Sequence, residues 1–267
     1  MRKISANYIY PVSSKPLKNG IIVLDDDNKI QDLIDTNGKV KEIQDLEFYN
    51  GILIPGFIDG FGLLSWPTFS KEDFLSFFQI DFLSNLEKQL REHRPDAFSI
   101  QRGINHMEAF GTKGAADFFP TEEGVQIKQN SKVLFRNVNS EDNYIDYQVG
   151  NYTALDQTPI LINRHTLACF PVLDLQMQNQ FCIGTGSLGM YQKLSVLEEL
   201  KYIQQQFPEL QIWELIKWAS IHTARYLGLE ENLGSLEMSK TPGLNLLSNI
   251  DFKDFKFTEK TSLKVII

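Results

Sequence analysis

Only two cysteines, Cys169 and Cys182, occur in the 267 residues. Two do not make a disulfide framework, so a reducing, cytoplasmic setting is the expectation. No stretch of 18 apolar residues is present, and the opening Met1-Arg2-Lys3-Ile4-Ser5 is not followed by a hydrophobic signal core. A membrane partner is therefore not expected. Basic residues are few and scattered: 26 Lys and Arg against 34 Asp and Glu leave a net charge of −8. That balance carries no electrostatic footprint for nucleic acid. What is abundant is apolar and aromatic material, 42% and 12% of residues with 19 Phe, enough for a substantial core and against disorder. The length suits one large domain, or a large domain with a small one.

The two ends of the chain read as β-structure. Ile21-Ile22-Val23-Leu24 is a β-branched run, and Asp25-Asp26-Asp27-Asn28 after it is a turn cluster. Lys29 to Ile34 resumes a strand, and Asn37-Gly38 is a hairpin-type turn. Leu244 to Leu247 and Leu263 to Ile267 are strands near the other end, so both ends are expected to build one small β domain. Between them the pattern alternates. Ile52 to Asp59 reads as a strand entering a loop, and Phe74 to Leu90 as one helix or two short ones. Ser99 to Phe110 is a predicted helix closed by Gly111. Candidate strands follow at Ala115–Phe119, Lys132–Arg136, Pro159–Ile162 and Phe181–Gly186. Leu194–Gln206 and Ile212–Leu227 are predicted helices, the second ending at Gly228 with Arg225 in its last turn. Strands alternating with helices argue for parallel βαβ units.

Several segments resemble the amidohydrolase superfamily. Asn50-Gly51-Ile52-Leu53-Ile54-Pro55-Gly56-Phe57-Ile58-Asp59-Gly60 resembles the first barrel strand, in which a Pro-Gly-Phe run leads into a metal-binding His-x-His. Ile183-Gly184-Thr185-Gly186-Ser187-Leu188, with Leu194-Ser195-Val196-Leu197-Glu198-Glu199-Leu200 after it, is similar to the last barrel strand and its helix. Trp218 to Gly228 resembles the helix that follows, and Gly234 to Gly243 the return to the small β domain. The nearest subgroup is that of the cytosine, S-adenosylhomocysteine and aminofutalosine deaminases. The resemblance implies a (β/α) TIM-like barrel at 55–229 and a composite β-sandwich built from 1–54 and 230–267. Active members hold zinc or iron at the C-terminal strand ends, where the metal lowers the pKa of a water that attacks a C–N centre.

The ligands that this implies are replaced here. Phe61-Gly62-Leu63 stands at the His-x-His, Gly186 at the Asp of the last strand, and Asn163 at the His of the fifth. Phe, Leu and Gly offer no donor to zinc, and Asn is a poor one. No metal or other cofactor is therefore expected. About 125 residues separate Phe61 from Gly186, where a full barrel takes roughly 200 to 250 in all. A truncated or incomplete barrel is the expectation. Its open edges would favour an oligomer.

The candidate pocket residues are Asp59, Asp117, Arg136, Asn163, Arg164, His165 and Ser187. Asp117 resembles the end of the family's second strand, with capping as its structural reading. His165 would share a face with Asn163 if the strand continued through it. His93, in a charged helix end, reads as solvated, and His106 and His222 read as structural. Cys169 and Cys182 read as small buried residues. Phe74, Phe77, Phe78 and Phe82 form an apolar stripe, read as core or as an oligomer face. Gly184-Thr185-Gly186-Ser187 lacks the spacing and the lysine of a phosphate loop. The expected function is a degenerate, metal-free relative that binds a small molecule or a partner, with no catalytic residues assigned. Two alternatives stand beside it: a C–N hydrolase or deaminase with Asp117 and His165 as acid and base, and a structural or regulatory subunit paired with an active homologue.

Overall fold

The computed structural model describes residues 1–40, 43–76, 82–139, 158–169 and 171–267. Phe77 and Phe78 of the predicted stripe lie outside them.

Five strands occupy the first part of the chain: β1 (Arg2–Ile9), β2 (Leu17–Lys18), β3 (Ile21–Leu24), β4 (Ile30–Ile34) and β5 (Leu46–Pro55). Gly56 then hands the chain directly to β6 (Phe57–Gly62), so the expected single strand at 52–59 is two. A Cβ on Gly56 would overlap Cγ of Lys113 and press on the Pro242 carbonyl, so this junction accepts only glycine without local rearrangement. The helices α1 (Lys71–Ser76), α2 (Phe82–Leu90) and α3 (Ala97–Ala109) follow, then β7 (Thr112–Phe118), α4 (Glu122–Lys128) and β8 (Leu134–Val138). After 158 come β9 (Ile160–Ile162), α5 (Arg164–Cys169), β10 (Phe181–Ile183), α6 (Val196–Gln206), α7 (Ile212–Lys217) and α8 (Thr223–Leu227). The chain closes with β11 (Leu244–Ser248) and β12 (Ser262–Val265).

Local chemistry accounts for these boundaries. Asp96 caps α3 by accepting from the Phe98 and Ser99 amides, and Gly111 follows its end in the left-handed region at φ 76°. Ile100, Gly103, Ile104 and Met107 repeat at helical spacing and are the buried face of α3. The predicted helix over 212–227 instead contains a π-helical turn at Trp218–His222. There Thr223 Oγ1 donates to the Trp218 carbonyl five residues back, at 2.6 Å.

Strands from both ends of the chain form one sheet in the order β12-β11-β5-β1-β3-β4, with β2 also on β1. β1 and β5 are parallel and the other pairs antiparallel. The middle of the chain supplies parallel strands, β8-β7-β6 in one group and β9-β10 in another. A parallel bridge between Gly62 and Gly186 joins them, with Leu63 N donating to the Gly186 carbonyl at 3.0 Å. The order is thus β8-β7-β6-β10-β9, and among the described residues the strands do not close into a barrel. The fold is mixed α/β. No helix of the described residues is long and apolar enough to cross a membrane.

Candidate functional site

The C-terminal ends of the parallel strands are filled with side chains. Phe61 and Leu63 leave β6 fully buried. The Phe61 ring lies 5.7 Å from Phe74, 5.6 Å from Phe82 and 5.2 Å from Phe118, centroid to centroid, so three surrounding elements converge on it in the tilted and edge contacts that aromatic rings favour. Gly186 sits in the left-handed region at φ 74°, and a Cβ there would run into the Met190 sulfur. An aspartate at this position would have to adopt strained backbone and displace Met190. Asn163 does not point from a continuing strand. It ends β9 and caps α5, its Oδ1 accepting from the amides of His165 and Thr166 at 2.9 Å each. His165 therefore lies on a helix and does not share a strand face with Asn163. The metal implied by the family resemblance does not fit: these side chains offer no donor set, and among the described residues no three His, Cys, Asp or Glu side chains converge.

The acidic candidates act as internal struts. Asp59 is fully buried; it accepts from Thr185 N at 3.0 Å, Thr185 Oγ1 at 2.5 Å and Phe61 N at 3.2 Å, tying β6 to the loop after β10. Burial pushes its carboxyl up to about 7, against the pull of those donors. Asp117 is also fully buried, pairing with Lys128 at 2.6 Å and accepting from Leu64 N at 3.0 Å. Burial raises its pKa while the Lys128 ammonium opposes the rise. Asp117 thus ties β7 to α4 and to the segment after β6. Ser187 is buried, donating to the Phe69 carbonyl and accepting from Gly189 N and Met190 N, which shapes the turn after β10. Arg136 is exposed on β8, opposite Ala116 of β7.

Arg164 and His165 do come together, around two residues that the sequence analysis did not single out. The His165 and Tyr191 rings stack at 4.7 Å and 6°. The Arg164 guanidinium lies 4.4 Å from the centroid of the Tyr191 ring and pairs with Glu199 at 2.7 Å, while Glu199 also accepts from Arg164 N at 2.8 Å. Glu199 was legible in principle: Val196, Glu199 and Ile203 share one face of α6, and that face is buried. Burial, aided by Arg164, pulls His165 down to about 4, so its imidazole is neutral at physiological pH. Its Nε2 is buried and finds no hydrogen-bond partner among the described residues. Beside this group opens a cleft of about 640 Å³ lined by Arg164, Tyr191, Lys193, Ser195, Glu198 and Thr261, among others.

Two further readings change. His93 is not solvated: Thr68 Oγ1 lies 3.0 Å from Nδ1, Asp73 3.5 Å from Nε2, and the side chain is 13% exposed. Cys169 is exposed, because it closes the short α5 on its outer side, whereas Cys182 is buried in β10.

With this geometry in place, comparison with solved structures gives amidohydrolase-superfamily neighbours. An adenosine deaminase from Xanthomonas campestris with bound zinc is 13% identical at a TM-score of 0.56, over 94% of this chain and 85% of that one. The aminofutalosine deaminase of Helicobacter pylori is 12% identical at 0.57, over 96% and 93%. The atrazine chlorohydrolase TrzN of Arthrobacter aurescens, in a complex with zinc and atraton, is 12% identical at 0.58, over 99% and 92%. The likeness is one of fold. No family model and no curated protein matches the sequence.

Proposed function

We propose that this chain is a non-catalytic, metal-free relative of the amidohydrolases that binds a small polar ligand in the cleft beside Arg164 and Tyr191. The observation that carries the reading is the packing of Phe61 against Phe74, Phe82 and Phe118, at the strand ends where this architecture otherwise places its chemistry. Support for the binding half comes from the cleft itself. It joins an aromatic face, two cations and hydroxyl groups in one concavity, the usual make-up of a small-molecule site.

The test is elemental mass spectrometry of the full chain, purified without chelator and dialysed after incubation with zinc and with iron. The expected result is below about 0.1 equivalent of either metal, because a site built from Phe, Leu, Gly and Asn has no ionisable donor. About one equivalent surviving dialysis overturns the proposal. It would favour the alternative reading, a hydrolase of non-peptide C–N bonds with an altered site, in keeping with the zinc-bound adenosine deaminase among the neighbours.

A further inference from the structure

A second cavity lies at the opposite ends of the parallel strands. It measures about 440 Å³ and sits where the start of β7 and the entry to β8 meet the β3–β4 turn and the segment leading into β11. Lys113 and Lys132 both line it, with Asn28, Asn232 and Thr241, and also with Asp27 and Ile267, among others.

Lys113 is held in place along its stem. Added Cβ atoms at Gly56 and Gly243 would collide with its Cγ and Cε, so the aliphatic chain lies directly on two glycine backbones. Gly243 has φ 70°, a left-handed conformation that itself favours glycine. The stem therefore has little freedom, and the half-buried ammonium it carries is delivered into the cavity beside a second lysine. Among the described residues, neither ammonium has a carboxylate within ion-pair distance. Glu108 uses its side chain on Ser131 and on the Lys132 backbone amide. Burial, and then Lys132, depress the Lys113 pKa, with Glu108 opposing. The Lys113 ammonium, partly stripped of water and lining the same cavity as the exposed Lys132, has an unfavourable interaction with that like charge which an anion relieves.

We propose that this cavity is a binding site for a small dianion, held by the Lys113 and Lys132 ammonium groups, with Asn28, Asn232 and Thr241 as neutral hydrogen-bonding neighbours. Asp27 on the rim disfavours large polyanions and restricts the site to compact ones. A phosphate monoester group and a dicarboxylate share this chemistry.

The experiment is thermal unfolding of the full chain in inorganic phosphate or in succinate, each against chloride at matched ionic strength. At about 20 mM of the preferred anion the midpoint is expected to rise by about 2–4 °C. The larger of the two shifts identifies the class. Lys113→Met keeps the stem and removes the charge. It is expected to abolish the shift while leaving the anion-free protein as stable or more so. Lys71→Ala, on an exposed lysine, is expected to keep the full shift. An equal shift in Lys113→Met, or no shift in the parent protein with either anion, overturns the proposal. Should Lys113→Met fold poorly, Lys132→Gln carries the same test, with an undiminished shift as the overturning result.

Discussion

Asp59 receives three hydrogen bonds and, among the described residues, forms no ion pair, so its carboxyl is held by donors yet penalised by burial. Its pKa of about 7 in the fold stands above the ordinary carboxylate value. The sign follows from proton uptake: between about pH 4 and 7 the folded chain binds this proton more tightly than the unfolded chain does. The stability from this group is present in full at acid pH and is lost as pH rises through 7. Asp59→Asn keeps an acceptor for the two amides and can donate to Thr185 Oγ1. Its denaturant midpoint at pH 6 is expected to stay close to the parent's, and its stability to change less between pH 4 and 7. Asp59→Ala leaves buried donors unpaired and is expected to cost about 2–4 kcal/mol in the same urea titration. A parent-like stability for the alanine variant would show that Asp59 is not a strut.

At the scale of elements, Arg164 and Glu199 fasten α5 to α6. Glu199 is 1% exposed, so removing its partner strands a buried carboxylate. Arg164→Met is expected to lower stability by about 3–5 kcal/mol in urea titration. In a Glu199→Leu background the same change is expected to cost under about 1 kcal/mol, because the charge that needed a partner is gone. Equal costs in both backgrounds would mean that the pair is not what holds these helices together. The hydrogen bond from Thr223 to the Trp218 carbonyl acts at this scale too. It places the π-helical turn in a segment whose apolar spacing alone reads as one regular helix.

For the whole molecule, β11 lies between β5 and β12, so a strand from late in the chain completes the sheet begun by the first residues. Deleting residues 241–267 removes β11 and β12 and bares the edge of β5. The truncated chain is expected to move to the insoluble fraction. Soluble protein with a parent-like circular dichroism spectrum would show that the early strands form a stable sheet unaided.

How much of this was legible in the sequence follows from how far each cause reaches along the chain. The strand Ile21–Leu24, the helix stop at Gly111 and the end of α8 at Gly228 rest on neighbours a few residues away, and the structure places them as read. Equally legible is that Phe61, Leu63 and Gly186 carry no metal-binding side-chain atom, because no packing changes that. Not legible were the partners of the buried polar candidates. Thr185 lies 126 residues from Asp59, and the Phe69 carbonyl 118 from Ser187. Nor does spacing reveal that Lys113 and Lys132 share a cavity with Asn28 and Thr241. The sequence by itself determined the local elements and which side chains have no metal-binding atom, since both depend on residue chemistry and short-range backbone preference. Only the tertiary structure decided which buried polar groups face one another, since that depends on long-range packing, which places residues far apart in the chain within hydrogen-bonding distance.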